Sequence, residues 1–434
     1  MPRTACRTVR ANQGGGLRRY TSVVLDRRAS FWVSAGVVAH TLWTSAAPAM
    51  TYRLYASEWH LTSTTTAEIF AIYPIVVVGV LVLFGGLSDQ IGRRATMLLG
   101  LGASFLGALI LALAPDVSWL FVARAFMGIG VGLTAGPSTA AVVEFNEGGT
   151  PRRASVVATA AQAAGFAAAL IVGGALTQYA PWPLHLVFWL LAFLIAALFA
   201  VTWFLPRRAQ NGTTGGWTPR LPSAPRRARK AFVIAAFAMT TAYTHGVMIL
   251  SLGGQIAHDL VRSPNTLING SILAVFAVMS GVVSLLARSL PTRTAMIAGA
   301  AASGVGMTLL ASATVFHAMA LFLSASAMTG AGYSLLFLSA LDVISSAAPV
   351  EQRGQTLSAL YLLGYLAVGM LAPILGRVAT VHGLGVAVYL GTGLIAALSF
   401  TTLGLALALG LHRVADDPRR GSPTGTPNLP APND

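Results

Sequence analysis

Charge is scarce in this chain. Only 9% of its 434 residues are Asp, Glu, Lys or Arg, where soluble domains carry about 25%, so an ordinary water-soluble fold is excluded. Cysteine is nearly missing. The single Cys6 rules out an internal disulfide framework and a thiolate metal site. The long apolar runs lack period-two alternation, which argues against a transmembrane barrel. No His-rich box, nucleophile elbow or nucleotide loop is present, so a membrane enzyme lacks its catalytic constellation. Neither tail is long enough to fold into the signalling domain of a receptor. The first residues lack the apolar core and cleavage site of a secretory signal, and no bound cofactor is expected.

What the chain has in excess is apolar residues, 55% of the total, with a mean hydropathy of +0.71. A helical crossing of a bilayer needs roughly 20 such residues. Twelve stretches qualify, near 29–50, 66–87, 95–114, 118–143, 155–177, 183–205, 231–253, 266–287, 294–313, 316–344, 356–376 and 384–411. The fold class is therefore an all-α polytopic membrane protein with twelve transmembrane helices, housed in a lipid bilayer as a monomer.

The net charge of +15 would suit nucleic acid if it were clustered on one face, but it follows the membrane instead. Of 28 Lys and Arg, 24 fall in the tails and on alternate loops, and only Arg53, Arg262 and Arg377 occupy the other loops. That is the positive-inside rule. Both termini are expected in the cytoplasm of a cell-membrane protein, with no nucleic-acid partner.

The chain also repeats itself. A shift of 200 residues places Arg93 on Arg293, Gly130 and Gly132 on Gly330 and Gly332, and Arg153 on Arg353. Two parallel six-helix halves are the pattern of one large class of secondary transporter. The expected division is a disordered tail over 1–28, a first half over 29–206, a Pro/Gly/Arg-rich linker over 207–230, a second half over 231–412 and a disordered tail over 413–434.

Between the second and third spans lies "GGLSDQIGRR", residues 85–94. Gly92 permits a tight reversal, Asp89 suits a helix start, and Arg93 and Arg94 sit at headgroup level. A purely topogenic loop would explain the arginines, but not Gly85, Leu87, Asp89 and Gly92 at fixed spacing. Gly85-x-Leu87-x-Asp89-x-x-Gly92-Arg93-Arg94 resembles the loop motif of the major facilitator superfamily. The resemblance implies the major facilitator fold, twelve helices in two six-helix pseudo-repeats, and a loop that locks the cytoplasmic side when the protein opens outward. The second copy, "ARSLPTRTAM" (287–296), keeps Arg288 and Arg293 without the aspartate and glycine, so the lock is expected to be asymmetric. Glu144 with Arg153 in one half, and Asp342 with Arg353 of "PVEQRG" in the other, are the expected gating partners. A plain solvated charge cluster is the alternative for both.

Within the spans, Arg124 is the one basic residue in a helix interior, roughly 9 Å from the outer end at ~1.5 Å per residue. Intramembrane ionisable groups mark function by default, although the side chain could instead snorkel outward. "RAFMGIGVG" (124–132) resembles the family's fourth-helix motif, which that resemblance associates with proton transfer, with Met127 where Gln is usual. Glu68, at similar depth, is the expected partner; a merely interfacial carboxylate is the competing reading. His40 and His245 lie mid-span, where a neighbouring carbonyl or hydroxyl can satisfy them, though their titration range also suits proton exchange. The fifth-span exporter signature is eroded: Gly165, Gly173 and Gly174 remain, with Ala169 and Leu170 replacing Gly-Pro.

The expected cavity is mostly apolar, with His40, Thr44, Gln162, Thr241, His245, Tyr333, Tyr361 and Tyr365 as its polar groups. It lacks the acidic cluster for a polycation and the basic pair for a dicarboxylate. Small amphipathic organic molecules fit best, exported against a proton gradient; a facilitator or proton-symport importer with the same fold is the alternative.

Overall fold

The computed structural model describes residues 24–147, 151–206, 228–349 and 353–408, without the side chains of Asp89, Pro151, Arg152, Arg353 and Gly354. The described chain is helical. Its long helices are α1 (Arg27–Ala46), α2 (Ser63–Phe84), α3 (Arg93–Leu113), α4 (Val117–Glu144), α5 (Pro151–Tyr179), α6 (Leu186–Thr202), α7 (Arg229–Gly246), α8 (Thr266–Leu286), α9 (Thr292–Phe316), α10 (Met319–Ala347), α11 (Arg353–His382) and α12 (Leu384–Ala408). One of these occupies each apolar stretch of the sequence. The tails and most of the 207–230 linker lie outside the described residues.

Ten of the described helices are long and apolar enough to cross a membrane. The chain is therefore a multi-pass membrane protein. The two long helices outside that group have physical reasons for it. Helix α6 is strongly apolar but has 17 residues, at the short end for a crossing. Helix α1 carries buried Ser30, Ser34, His40, Thr41, Thr44 and Ser45, which lower its hydropathy.

Helix starts follow side-chain caps. Asp26 accepts from the Ala29 N–H at 2.6 Å, Thr62 from Thr65 at 3.2 Å, Asp116 from Ser118 at 2.8 Å and Asn265 from Ile268 at 3.1 Å. The break between the short helix Leu87–Ile91 and α3 is made by Gly92 at φ +87°, a left-handed conformation that disfavours any side chain. Helix α7 widens into π-type turns over Val247–Ser251 and Ile256–Leu260.

In the first half of the chain α4 packs on α1, α2 and α3, while α1 packs on α5 and α3 on α6. In the second half α10 packs on α7, α8 and α9, while α7 packs on α11 and α9 on α12. Extensive packing also joins α5 to α8 and α2 to α11, across the two halves. Small residues set the closest approaches, as in membrane bundles generally. A Cβ on Gly128 would lie 2.8 Å from the Tyr73 carbonyl oxygen, and one on Gly330 would lie 2.3 Å from that of Phe276. Gly130 faces Ser104 as Gly332 faces Ser303. These contacts pair Gly128 with Gly330 and Gly130 with Gly332, a register two residues away from the even shift of 200 expected from the sequence. Ala/Gly-rich helices match at several registers, and only the facing backbone distinguishes them.

Candidate functional site

The 85–94 loop holds its expected shape. Gly85 caps α2, where a Cβ would meet the Leu81 carbonyl oxygen at 2.5 Å, and Gly92 supplies the reversal. Leu87 opens the short helix and is half-buried. The Asp89 side chain lies outside the described residues, so its gating role stays a sequence expectation. Arg93, at the start of α3, pairs with the Glu144 carboxylate at the end of α4 and donates to the Ala140 carbonyl at 3.0 Å. Arg94 donates to the Leu205 carbonyl at 3.2 Å and lies 5.5 Å from the Trp203 ring centroid. Arg153 stands over Phe31 at 5.1 Å, and Arg27 reaches Glu147 at 3.5 Å. All these links stay within the first half of the chain. Gly92, Arg93, Arg94, Glu144, Phe199 and Trp203 border a cavity of about 1100 Å³ at the ends of α3, α4 and α6.

In the second half Asp342 sits near the end of α10, exposed, with Thr292 at the start of α9 as its hydrogen-bonding neighbour. By the register of the facing glycines it corresponds to Ala140, one turn before Glu144. The side chain of Arg353 lies outside the described residues.

At the opposite end of the bundle the two halves meet closely. Thr64 and Thr380 share a hydrogen bond at 2.9 Å, and the Thr64 N–H donates to Thr380 at 3.0 Å. Gln178 accepts from the Thr266 N–H at 2.7 Å, Asn265 donates to the Tyr179 hydroxyl at 3.2 Å, and Arg53 approaches Asp259 at 3.7 Å. Glycines bring the backbones together there: a Cβ on Gly174 would lie 2.7 Å from the Thr266 carbonyl oxygen, and one on Gly376 would lie 2.7 Å from that of Ser63. A gap of about 20 Å³ between Met50, Arg53, Thr177 and Asn269 leaves room for about one water.

The expected pairing of Glu68 with Arg124 does not occur. Glu68 lies on the exposed stripe of α2 that also carries Ile75, whereas Arg124 is fully buried. The snorkelling alternative fails as well. The guanidinium is 4.6 Å from the Tyr73 ring centroid and 5.9 Å from that of Phe70. It donates to the Ser45 carbonyl at 3.4 Å and contacts Met127 sulfur at 3.9 Å. The helical period decides this: Arg124 points into the α1–α2–α4 contact, while residue 68 falls on the other side of α2 from Tyr73.

The polar cavity set divides in two. His245 Nδ1 donates to the Thr241 carbonyl at 2.7 Å, the satisfied arrangement its position suggested, with Nε2 unpartnered among the described residues. His40 differs, because neither ring nitrogen has a partner there despite burial. Thr241 donates to the Phe237 carbonyl at 2.7 Å and faces Thr402 of α12 at 3.3 Å, so it bridges helices instead of lining a cavity. Thr44 is buried in α1 and Gln162 is exposed on α5. Gly165 packs against Ala39 of α1.

Tyr333, Tyr361 and Tyr365 do come together, on α10 and α11. Tyr365 meets Tyr243 of α7 edge-on at 4.9 Å, Tyr333 stacks on Phe337 at 5.8 Å, and Phe337 lies 6.2 Å from Tyr361. Phe276 of α8 adds a ring 5.5 Å from Tyr333, and Phe166 of α5 lies 5.9 Å beyond it. Tyr243, Phe276 and Phe337 were not picked out by the sequence reading. Tyr243 sits two residues before His245 and could have been; the phenylalanines carry no sequence signal that separates them from ordinary core.

Residues 32–290 match the model of the Major Facilitator Superfamily. A multidrug efflux pump, LfrA of Mycolicibacterium smegmatis, is 34% identical over 132 residues, 30% of this chain and 26% of its own length. The puromycin resistance protein pur8 of Streptomyces alboniger is 31% identical over 174 residues, 40% of this chain and 33% of its own. The matched stretches thus span about a quarter to a third of these curated relatives. A crystal structure of the nucleoside transporter NupG superposes with a TM-score of 0.74 at 13% identity, covering 88% of this chain and 100% of that one. At that identity the likeness is one of fold.

Proposed function

Because this chain belongs to the major facilitator superfamily, we propose that it is a secondary active transporter that exports small amphipathic organic molecules by alternating access. Twelve crossings divide into a first half over 29–206 and a second over 231–412, joined by the 207–230 linker. The matching packing schemes of the two halves support that division. The charge distribution supports termini in the cytoplasm and places the 85–94 loop there. The curated relatives support export of drug-like solutes from the cell across its outer membrane boundary.

The observation that carries alternating access is the placement of the cross-half contacts. Polar bonds between the halves, Thr64 to Thr380 and Gln178 to Thr266, sit at the end away from the loop motif, and Arg93 bonds to Ala140 and Glu144 within the first half. We read this arrangement as inward-facing, with the outer seam shut by those bonds. Rocking one half against the other would break the outer bonds and bring the loop motif to the second half.

A proton gradient is the proposed driving force. With Glu68 unpaired with Arg124, Asp342 is the carboxylate placed to release a proton towards the cytoplasm, and His40 is the buried group within the span. Solute efflux from proteoliposomes, measured with and without an imposed pH gradient, tests this reading. Efflux that accelerates with an acidic outer compartment supports it. Uptake driven by the same gradient favours the importer, and flux indifferent to the gradient favours a facilitator.

A further inference from the structure

Two features of the bundle interior act on any molecule that enters it. One is the aromatic wall of Tyr243, Phe276, Tyr333, Phe337, Tyr361 and Tyr365, whose rings follow one another at 4.9–6.3 Å. All except Phe276 keep partial exposure. The other is Arg124, fully buried, with Nε and Nη2 lacking any hydrogen-bond partner among the described residues. Tyr73 joins the two. It carries the Arg124 guanidinium on its ring at 4.6 Å and is an electrostatic neighbour of Tyr365. Tyr243, Tyr333 and Tyr365 pack against the apolar cluster that contains Tyr73.

Among the described residues no acid is paired with this positive charge. Of the 13 Asp and Glu, only Glu68 and Asp342 lie inside described helical spans away from a cap or an ion pair. Glu68 is exposed on the far side of α2, and Asp342 is nine residues beyond Tyr333, half a turn round α10 and near its end. The interior field is therefore that of one guanidinium.

We propose that the aromatic wall, under the field of Arg124, binds planar aromatic anions in preference to neutral analogues, and both in preference to planar aromatic cations. The proposal rests on the transporter reading above and names the substrate class of that cavity. Two opposing effects decide the order. Tyrosine faces attract cations, by about fivefold in affinity at wetted sites. A buried unit charge reaches further than a ring face: at a separation of ~10 Å and an effective dielectric near 20 it amounts to about tenfold or more on each ligand charge, with opposite sign on anion and cation. The charge effect wins, and it does so because no carboxylate among the described residues neutralises Arg124.

The experiment uses the full chain in lipid nanodiscs and three ligands sharing one ring system: 2-naphthoate, 2-naphthamide and 2-naphthylmethylammonium. Equilibrium dialysis should show the anion bound at least about tenfold more tightly than the cation, with the amide between. Arg124→Gln should collapse that order while Arg124→Lys preserves it. Tyr365→Ala and Phe337→Ala should weaken all three ligands by similar factors. A cation bound as tightly as the anion in the unaltered chain overturns the proposal, as does an order unchanged in Arg124→Gln. So does failure of all three to bind while the chain still carries another solute. Proteoliposome flux is measured separately: binding in the stated order with no flux under any gradient overturns the transporter reading and leaves the site standing.

Discussion

Thr64 of α2 and Thr380 of α11 place their hydroxyls 2.9 Å apart, and that hydrogen bond ties the first half of the chain to the second at the end away from the loop motif. Cysteines at both positions, in a Cys6→Ser background with no other thiol, should therefore oxidise to a disulfide. The bond should hold the protein with its outer seam shut, stop net flux and release it on reduction. Transport unaffected by the cross-link would mean that this seam does not open in the cycle.

Gly165 and Gly173 lie in the same helix and make opposite predictions. A Cβ at Gly165 would sit 2.1 Å from the Ala39 carbonyl oxygen, a backbone atom that cannot step aside, whereas at Gly173 its nearest neighbour is 3.7 Å away. Gly165→Ala should cost about 1–3 kcal/mol of stability through overpacking, and Gly173→Ala should be nearly neutral. Thermal melts in detergent compare them directly; equal melting temperatures would remove the close approach of α1 and α5.

Glu68→Gln should leave gradient-driven transport at the unaltered rate, since the carboxylate faces away from Arg124. Asp342→Asn should remove the response to a pH gradient while counterflow of substrate persists. The two variants are read in the same proteoliposome assay, and a reversal of their effects would return proton coupling to α2.

The Arg93–Glu144 pair is 40% exposed on the arginine side, so solvent screens it and its removal should cost stability no more than about 1 kcal/mol. Its effect belongs in the cycle. Glu144→Gln should melt close to the unaltered protein yet change turnover, because Arg93 is then free to take another partner when the halves rock. A loss of folded protein with no kinetic change in what remains would make the pair structural.

The sequence alone determined where the helices lie, because a span is a local property: some 20 apolar residues between caps and basic loops make a helix whatever surrounds them. The reversal at Gly92 was legible for the same reason, since a left-handed backbone concerns one residue. The Arg93–Glu144 contact was not, for the sequence set Glu144 beside Arg153 and only the packing of α3 on α4 brings Arg93 to it. What only the tertiary structure decided is which faces meet. Glu68 and Arg124 share a depth but not a direction, and depth is all that counting along a helix supplies. The tyrosines of α7, α10 and α11 converge because close approaches, such as Gly330 on Phe276 and Gly364 on Tyr243, fix the rotation of each helix, and that rotation depends on partners in other helices. The same cause moved the α4–α10 correspondence by two residues, for helices rich in Ala and Gly look alike until another backbone is pressed against them.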